Sequence, residues 1–181
     1  MKVAPNSNFC QYPVQPNMGY TRAIWANSTP IREATSVLVA PVRVLVVDDF
    51  APWRRSVRSM LKRYAELQVV GEAADGLAAI QRASRLSPDL ILLDIGLPNL
   101  SGIQAAKQIR HVVPGTRIIF VTQNSDRDVV QAALGTGAKG YVLKPDSGSE
   151  LRPAIEAVLQ GKQFVSSGLT ARLQVVTSRL S

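Results

Sequence analysis

Three aspartates, a threonine and a lysine stand at the ends of short apolar runs in this chain of 181 residues. Asp48 and Asp49 follow the first run, Asp94 follows another, and Thr122 and Lys144 end two more. If these runs are parallel strands, their carboxyl ends meet at one edge of a sheet, where ligands bind in open α/β folds. The pattern therefore predicts three carboxylates, a hydroxyl and an ammonium group at one site.

The residue types at this predicted site favour phosphoryl transfer assisted by a divalent cation. Close carboxylates repel one another and are stable together only with a cation. Oxygen ligands without histidine or cysteine suit Mg²⁺. A carboxylate beside Mg²⁺ can act as a nucleophile and become an aspartyl phosphate, and catalysis is then positioning plus electrostatic stabilisation. We expect Lys144 to neutralise one phosphoryl oxygen and Thr122 to donate a hydrogen bond to another.

The elements that must position these side chains alternate between strand and helix. Five apolar runs are predicted as strands, at residues 42–47, 67–70, 90–93, 117–121 and 140–143. Apolar residues recur at helical spacing after each of them, which predicts helices within residues 52–64, 77–83, 101–110, 127–134 and 151–159. Near-continuous apolar strands indicate a parallel sheet buried on both faces. Right-handed crossovers then give an α/β fold, a doubly wound three-layer sandwich.

The two ends of the chain lack this alternation. Residues 1–41 are rich in Pro, Asn, Ser and Gln and are predicted to be a disordered leader, although a wrongly assigned start codon would give the same pattern. Residues 42–165 are predicted to form the domain, and residues 166–181 a C-terminal tail or short helix. Ser149 and Gly161 are the expected caps of the last helix.

The composition indicates a cytoplasmic protein with no membrane segment. Cys10 is the only cysteine, which excludes an intramolecular disulfide and fits a reducing compartment. The apolar stretch at 37–47 is too short and too interrupted to span a bilayer. The net charge is +8, but it is spread thinly, so direct nucleic-acid binding is not expected. The densest basic group, predicted as a solvated helix face more than a docking surface, is Arg54, Arg55, Arg58, Lys62 and Arg63.

Four segments around the candidate site resemble the CheY-like receiver domain of two-component response regulators. They read Val-Val-Asp-Asp at 46–49, Leu-Leu-Asp-Ile-Gly-Leu-Pro-Asn-Leu-Ser-Gly at 92–102, Phe-Val-Thr at 120–122 and Gly-Tyr-Val-Leu-Lys-Pro at 140–145. Each segment alone is a weak signal, but their order and their placement at strand ends make the combination specific. The resemblance covers about residues 42–165 and implies a flavodoxin-like fold with a five-stranded parallel sheet in the order 2-1-3-4-5.

The resemblance also implies roles for individual residues. Asp94 is identified as the phosphoacceptor, and Lys144 as the partner of a phosphoryl oxygen. Mg²⁺ would be bound by Asp94 and Asp49, with Asp48 acting mainly through water. The backbone carbonyl of Gly96 would supply a further ligand.

Two residues are identified by the same resemblance as the switch. Thr122 would move toward the phosphoryl group, and Tyr141 would turn inward. Pro145 would follow a cis peptide bond that helps to aim Lys144. Gln123 departs from the family pattern, which usually has a small residue there, so its longer side chain is expected to alter access of water or phosphodonor and the lifetime of the phosphorylated state.

The implied partners are a sensor histidine kinase or phosphotransfer protein, and an effector or second copy bound through the face formed by helix 4, strand 5 and helix 5. Residues 151–169 are similar to the end of the receiver in LuxR/NarL/FixJ-type regulators, which continue into a helix-turn-helix. Residues 169–181 are enough for one short helix only, so that output domain is predicted to be absent from this chain.

Other functions remain open at this point. One is a phosphorylation-independent interaction module with the receiver fold, and another is the receiver part of a truncated DNA-binding regulator. A haloacid-dehalogenase-like enzyme needs a second aspartate two residues after the nucleophile, where this chain has Gly96. The domain is expected to assist its own phosphorylation and dephosphorylation, and not to be an enzyme in the ordinary sense.

Overall fold

The computed structural model describes residues 40–169, and the expectations for the leader and for residues 170–181 lie outside this range. Strands and helices alternate throughout. The elements, in chain order, are β1 (Val42–Val47), α1 (Ala51–Leu61), β2 (Leu67–Ala73), α2 (Gly76–Leu86), β3 (Leu90–Leu93), α3 (Gly102–Val112), β4 (Arg117–Thr122), α4 (Arg127–Gly135), β5 (Gly140–Leu143), a 3₁₀ turn (Lys144–Asp146), α5 (Ser147–Leu159) and β6 (Phe164–Val165).

All the strands of the sheet are parallel, and their order is β2-β1-β3-β4-β5-β6. The expected order of the first five strands is therefore confirmed. The sixth strand was not predicted. It has only two residues, which is too short for a periodic apolar pattern to mark it.

Successive residues of the central strands face two separate hydrophobic cores, as the alternation of a strand requires. Leu90 and Leu92 of β3 pack with the buried residues of α1 and α5. Ile91 and Leu93 pack with those of α2, α3 and α4. All four residues are fully buried, which explains why this strand is apolar without interruption and confirms a sheet covered on both faces.

Short-range contacts fix where α3 begins, directly after the loop that carries Asp94. The Ser101 side chain accepts a hydrogen bond from the Gln104 amide, and the Gln104 side chain accepts one from the Ser101 amide. This reciprocal pair is a capping box. A Cβ atom on Gly102 would clash with the carbonyl oxygen of Asp94, so a glycine is needed for α3 to start so close to this loop.

Two local expectations near Lys144 are wrong. The helix α5 begins at Ser147 instead of being capped by Ser149, because the 3₁₀ turn runs directly into it and the Ser147 hydroxyl donates to the Lys144 carbonyl at 2.6 Å. Every peptide bond within residues 40–169 is trans, including the one before Pro145. A proline in the first turn of a helix needs no cis bond, because its fixed φ already suits the turn. At the other end of α5, Gly161 follows the last turn with a φ of +79°, as expected for a C-terminal glycine.

No helix in the described part of the chain is both long enough and apolar enough to cross a bilayer. His111 lies exposed near the end of α3.

Candidate functional site

The carboxyl ends of four strands converge on one open cavity. The residues that line it are Asp49, Phe50, Trp53, Asp94, Ile95, Gly96, Thr122, Gln123, Asn124, Lys144 and Pro145. Asp48, which ends β1 together with Asp49, is fully buried immediately behind them. The fold therefore brings together the side chains that the sequence placed at strand ends, and it does so because all these strands run in the same direction.

The three aspartates form an acidic cluster in which one oxygen of each lies within 4.8 Å of the others. Asp94 is 6% exposed and Asp48 is completely buried, whereas Asp49 is exposed. Backbone amides hold the two buried carboxylates. The Phe50 amide donates to Asp48 at 2.9 Å, and the Ile95 amide donates to Asp94 at 2.7 Å. These two hydrogen bonds orient the carboxylates of Asp48 and Asp94.

Lys144 bridges the two buried carboxylates. Its Nζ atom lies 2.7 Å from Oδ2 of Asp48 and 2.9 Å from Oδ2 of Asp94. Burial tends to lower the pKa of Lys144, but hydrogen bonds to Asp48 and Asp94 outweigh burial and the pKa is raised. Burial raises the pKa of Asp48 despite the opposing effect of Lys144. The ammonium group is thus charged and forms ion pairs with both carboxylates.

The cluster fits a hard divalent cation. Three carboxylates carry more negative charge than Lys144 neutralises, and their oxygens are close enough to share one ion. Oxygen-only ligands suit Mg²⁺ or Ca²⁺, and Mg²⁺ characteristically uses one or two carboxylates together with waters. The exposed carboxylate of Asp49 and the open cavity leave room for such waters. Gly96, whose carbonyl the resemblance implies as a further ligand, also lines this cavity.

The switch candidates Thr122 and Tyr141 are both tied to the loop that follows β4. The Asn124 amide donates to the Thr122 hydroxyl oxygen at 3.3 Å, and the Tyr141 hydroxyl donates to the Asn124 carbonyl at 2.9 Å. Tyr141 is completely buried and its ring packs beside Phe120. Burial, and then the charges of Asp94 and Asp126, raise the pKa of Tyr141 to about 12. Its ring therefore already lies inward as a neutral phenol.

Reasoning from sequence missed two contributors to this site. From the helical spacing of apolar residues within 52–64, Trp53 is predicted only to pack in the core. Its ring does pack there in part, but it also lies beside the Lys144 ammonium, which is 5.1 Å from the ring centroid. Asn124 was not singled out, because its role depends on its backbone carbonyl and amide. A side-chain pattern cannot reveal such a role.

The basic face of α1 is partly neutralised by β2. Arg54 pairs with Glu72 at 3.1 Å and donates to the Asp48 carbonyl at 2.6 Å. Arg58 approaches Glu72 at 3.6 Å. Arg54 and Arg58 of this basic face therefore hold α1 against the sheet behind the acidic cluster.

Comparison with known proteins gives a consistent result. The family model described as the response regulator receiver domain matches residues 44–156. The transcriptional regulatory protein LiaR from Bacillus subtilis (strain 168) is 34% identical over 139 residues, which are 77% of this chain and 64% of LiaR. The chain thus spans less than two thirds of that relative's length.

Solved structures agree in fold. A LuxR-family two-component response regulator from Aurantimonas sp. SI85-9A1 superposes with a TM-score of 0.71 and 31% identity, covering 78% of this chain and 100% of that one. The isolated REC domain of RcsB from Salmonella enterica serovar Typhimurium, solved in the presence of the phosphomimetic BeF₃⁻, gives a TM-score of 0.68 and 27% identity. That alignment covers 72% of this chain and 97% of the other. The fold, the strand-end acids and the family match together lead to one conclusion: this chain belongs to the response regulator receiver domain family of two-component systems, and its relatives are regulators of the LuxR/NarL type.

Proposed function

We propose that Asp94 accepts a phosphoryl group in a Mg²⁺-dependent reaction and that the domain acts as a switch, not as an enzyme with a separate substrate. The observation that carries this proposal is the Lys144 ammonium, held 2.9 Å from the Asp94 carboxylate. An ammonium group at this distance stands beside the position that the oxygens of a newly attached phosphoryl group would occupy.

The proposed step is a direct transfer. A carboxylate oxygen of Asp94 forms a bond to the phosphorus atom of a phosphohistidine or an acyl phosphate. The bond from phosphorus to the leaving nitrogen or oxygen breaks, and its electron pair departs with the imidazole or the carboxylate. The Ile95 amide, 2.7 Å from the Asp94 carboxylate, holds that side chain in place, so little reorientation is needed before attack.

The acidic cluster is proposed to hold the metal. Asp49 and Asp94 would be ligands, with the Gly96 carbonyl as a third, and buried Asp48 would contribute mainly through water. Mg²⁺, when bound, neutralises charge on the carboxylates and on the phosphoryl oxygens. The Phe50 amide orients the Asp48 carboxylate within this cluster.

The same geometry supports a switching role for the loop after β4. Thr122, 3% exposed, lines the cavity with its hydroxyl oxygen already engaged by the Asn124 amide. If the hydroxyl turns to donate to a phosphoryl oxygen, that contact weakens and the loop moves. Because the Tyr141 hydroxyl donates to the carbonyl of the same Asn124, the change reaches β5. The face formed by α4, β5 and α5 is the proposed output surface for an effector or a second copy.

The proposed upstream partner is a sensor histidine kinase or a phosphotransfer protein. Relatives of this chain include transcriptional regulatory proteins such as LiaR, and a role as the receiver part of a longer DNA-binding regulator is therefore a second candidate. It requires the same chemistry at Asp94 and differs only in what the switch controls.

Intact mass after incubation with acetyl phosphate and Mg²⁺ tests the proposal. We expect an adduct of about 80 Da, the mass that a phosphoryl group adds, on the wild type and none on Asp94→Asn or without Mg²⁺. Asp128→Asn, an exposed acid on α4, is the matched control and should be labelled normally. If the wild type stays unlabelled with acetyl phosphate and with phosphorylated histidine kinases, a phosphorylation-independent interaction module replaces this proposal.

A further inference from the structure

The segment after α5 folds back along the switch strand β5. We call residues 164–169 the strap. The Phe164 amide donates to the Lys139 carbonyl at 2.8 Å, and the Ser166 amide donates to the Tyr141 carbonyl at 2.8 Å. These backbone bonds make β6 the edge strand of the sheet, and the ladder that they form ends at Tyr141.

Beyond the end of that ladder, the next hydrogen bond from β5 is made to the side chain of Ser166 and not to a backbone group. The Leu143 amide donates to the Ser166 hydroxyl oxygen at 2.9 Å, and the Ser166 hydroxyl donates to the carboxylate of Glu150 in α5. Ser166 is completely buried. A buried amide without a partner is costly, so the serine satisfies the last amide of β5 at the point where the chain continues into Lys144.

The residues of the strap that follow Ser166 are also held in place. Glu150 also accepts hydrogen bonds from the Ser167 amide at 3.1 Å and from the Ser167 hydroxyl at 2.6 Å. Leu169, 1% exposed, is buried in the same core as Tyr141 and Leu143. The strap therefore links α5 to the end of β5 through specific polar contacts as well as through apolar packing.

An ordinary edge strand would add stability without needing a buried hydroxyl. Backbone pairing alone would account for the bonds at Phe164 and at the Ser166 amide. The additional contact is directed at Leu143, the residue immediately before Lys144. The carbonyl of Lys144 is in turn held by the Ser147 hydroxyl. The backbone is thus fixed on both sides of the residue whose ammonium bridges Asp48 and Asp94.

We propose that Ser166 is a positioning residue for Lys144: by holding the Leu143 amide, it fixes the end of β5 so that the Lys144 ammonium lies at Asp94. This inference rests on the proposed phosphorylation of Asp94. It assigns a part in the reaction to a segment that follows α5 and lies outside the matched family region of 44–156.

The test compares the rate of Asp94 phosphorylation by acetyl phosphate in Ser166→Ala and in the wild type, at saturating Mg²⁺ and at a temperature where both are folded. Small displacements of a catalytic group have large effects on rate, and we expect the maximal rate to fall by about tenfold. The half-saturating Mg²⁺ concentration should not rise, because the carboxylates of the acidic cluster are intact. Amide exchange at Leu143 should become faster.

Three variants separate positioning from general loss of stability. Ser167→Ala removes a neighbouring contact to the same Glu150 without touching β5 and should keep the wild-type rate. Ile109→Val destabilises the core that the strap also joins, but from α3, where Ile109 is fully buried, and should also keep the wild-type rate. Glu150→Gln is expected to fold, since this side chain is only half-buried, and should give a smaller reduction than Ser166→Ala.

The outcomes are distinct. A labelled wild type with an equally fast Ser166→Ala, or one slowed no more than Ile109→Val, would overturn this inference and leave the proposed function standing. Continued protection of the Leu143 amide in Ser166→Ala would also overturn it. An unlabelled wild type would overturn the proposed function, and this inference with it.

Discussion

The ammonium group of Lys144 lies against the indole ring of Trp53, 5.1 Å from the ring centroid. This contact joins α1 to the residue that bridges Asp48 and Asp94. A cation near an aromatic face is attracted by the ring quadrupole, so Trp53 helps to hold Lys144 over the acidic cluster. It also places a fluorescent side chain at the edge of the candidate phosphorylation site.

Trp53 is therefore expected to report occupation of the site. Adding Mg²⁺ and then BeF₃⁻ draws Lys144 toward the new ligand and changes the environment of the indole, so the emission of Trp53 should change in a saturable way. The titration is best done in Trp25→Phe, which removes the other tryptophan of the chain. Asp94→Asn in the same background should abolish the BeF₃⁻-dependent change. An unchanged emission at saturating BeF₃⁻, with binding verified independently, would contradict the coupling between these two residues.

Replacing Lys144 with methionine should weaken folding and strengthen metal binding. The substitution leaves Asp48 and Asp94 without their counter-charge, and breaking a buried ion pair costs about 3 kcal/mol. The free energy of unfolding, measured with denaturant at neutral pH, should fall by roughly that amount. Mg²⁺ should bind more tightly by calorimetry, because one repelling positive charge is gone, and should restore part of the lost stability.

The control for this variant is Lys139→Met. Lys139 is exposed and immediately precedes β5, at the opposite end of the strand from the acidic cluster. Its loss should leave both the unfolding free energy and the Mg²⁺ affinity close to the wild-type values. An equal effect of the two substitutions would mean that the ion pairs of Lys144 do not stabilise the site.

Tyr141→Phe should change the response of the domain to alkaline pH. The pKa of Tyr141 is raised to about 12, above the ordinary value near 10. A raised pKa stabilises the folded state fully below pH 10, and this contribution is lost as the pH rises through 12. Stability should therefore fall by about 2 kcal/mol across that window in the wild type and by less in Tyr141→Phe.

At neutral pH, Tyr141→Phe removes the hydrogen bond to Asn124 and should cost about 1 kcal/mol. Denaturant unfolding across the pH range, together with tyrosinate absorbance, measures both effects. Identical alkaline slopes in the two proteins would show that Tyr141 does not titrate as its burial requires.

Gln123→Ala should speed both gain and loss of the phosphoryl group. Gln123 lines the cavity beside Thr122, and we expect its side chain to restrict the approach of acetyl phosphate and of water to Asp94. The smaller side chain should raise the labelling rate and shorten the lifetime of the adduct, both followed by intact mass. Gln131→Ala, on the exposed side of α4, should alter neither rate. Slower labelling in Gln123→Ala would instead assign Gln123 a helpful contact with the phosphodonor.

Much of the fold could be predicted from the sequence, because a parallel strand that is buried on both faces consists almost entirely of apolar residues. The four-residue run of β3 is buried on both sides, and such a run must be apolar throughout. Asp94 and Lys144 each directly follow a strand. Because all the strands are parallel, their carboxyl ends lie at the same edge of the sheet, and both residues are therefore placed there. The end of β2 was not predicted correctly. The predicted strand stops at residue 70, because Gly71 and Glu72 interrupt the apolar pattern, whereas β2 continues to Ala73.

The sequence by itself determined the alternation of strands and helices, which depends on periodicity, and the acidic cluster, which depends on positions relative to strand ends. The resemblance to the receiver family could also be seen in the sequence, because four segments at 46–49, 92–102, 120–122 and 140–145 carry it. Only the tertiary structure decided that Trp53 lies beside Lys144, that Asn124 links Thr122 to Tyr141, and that Ser166 holds the last amide of β5. The contacts of Trp53 with Lys144, of Tyr141 with Asn124 and of Ser166 with Leu143 join residues far apart in the chain. The last two use backbone groups, which do not depend on the type of side chain. These contacts arise from how α1, the loop after β4 and the strap settle against the sheet, which no local pattern of side chains specifies.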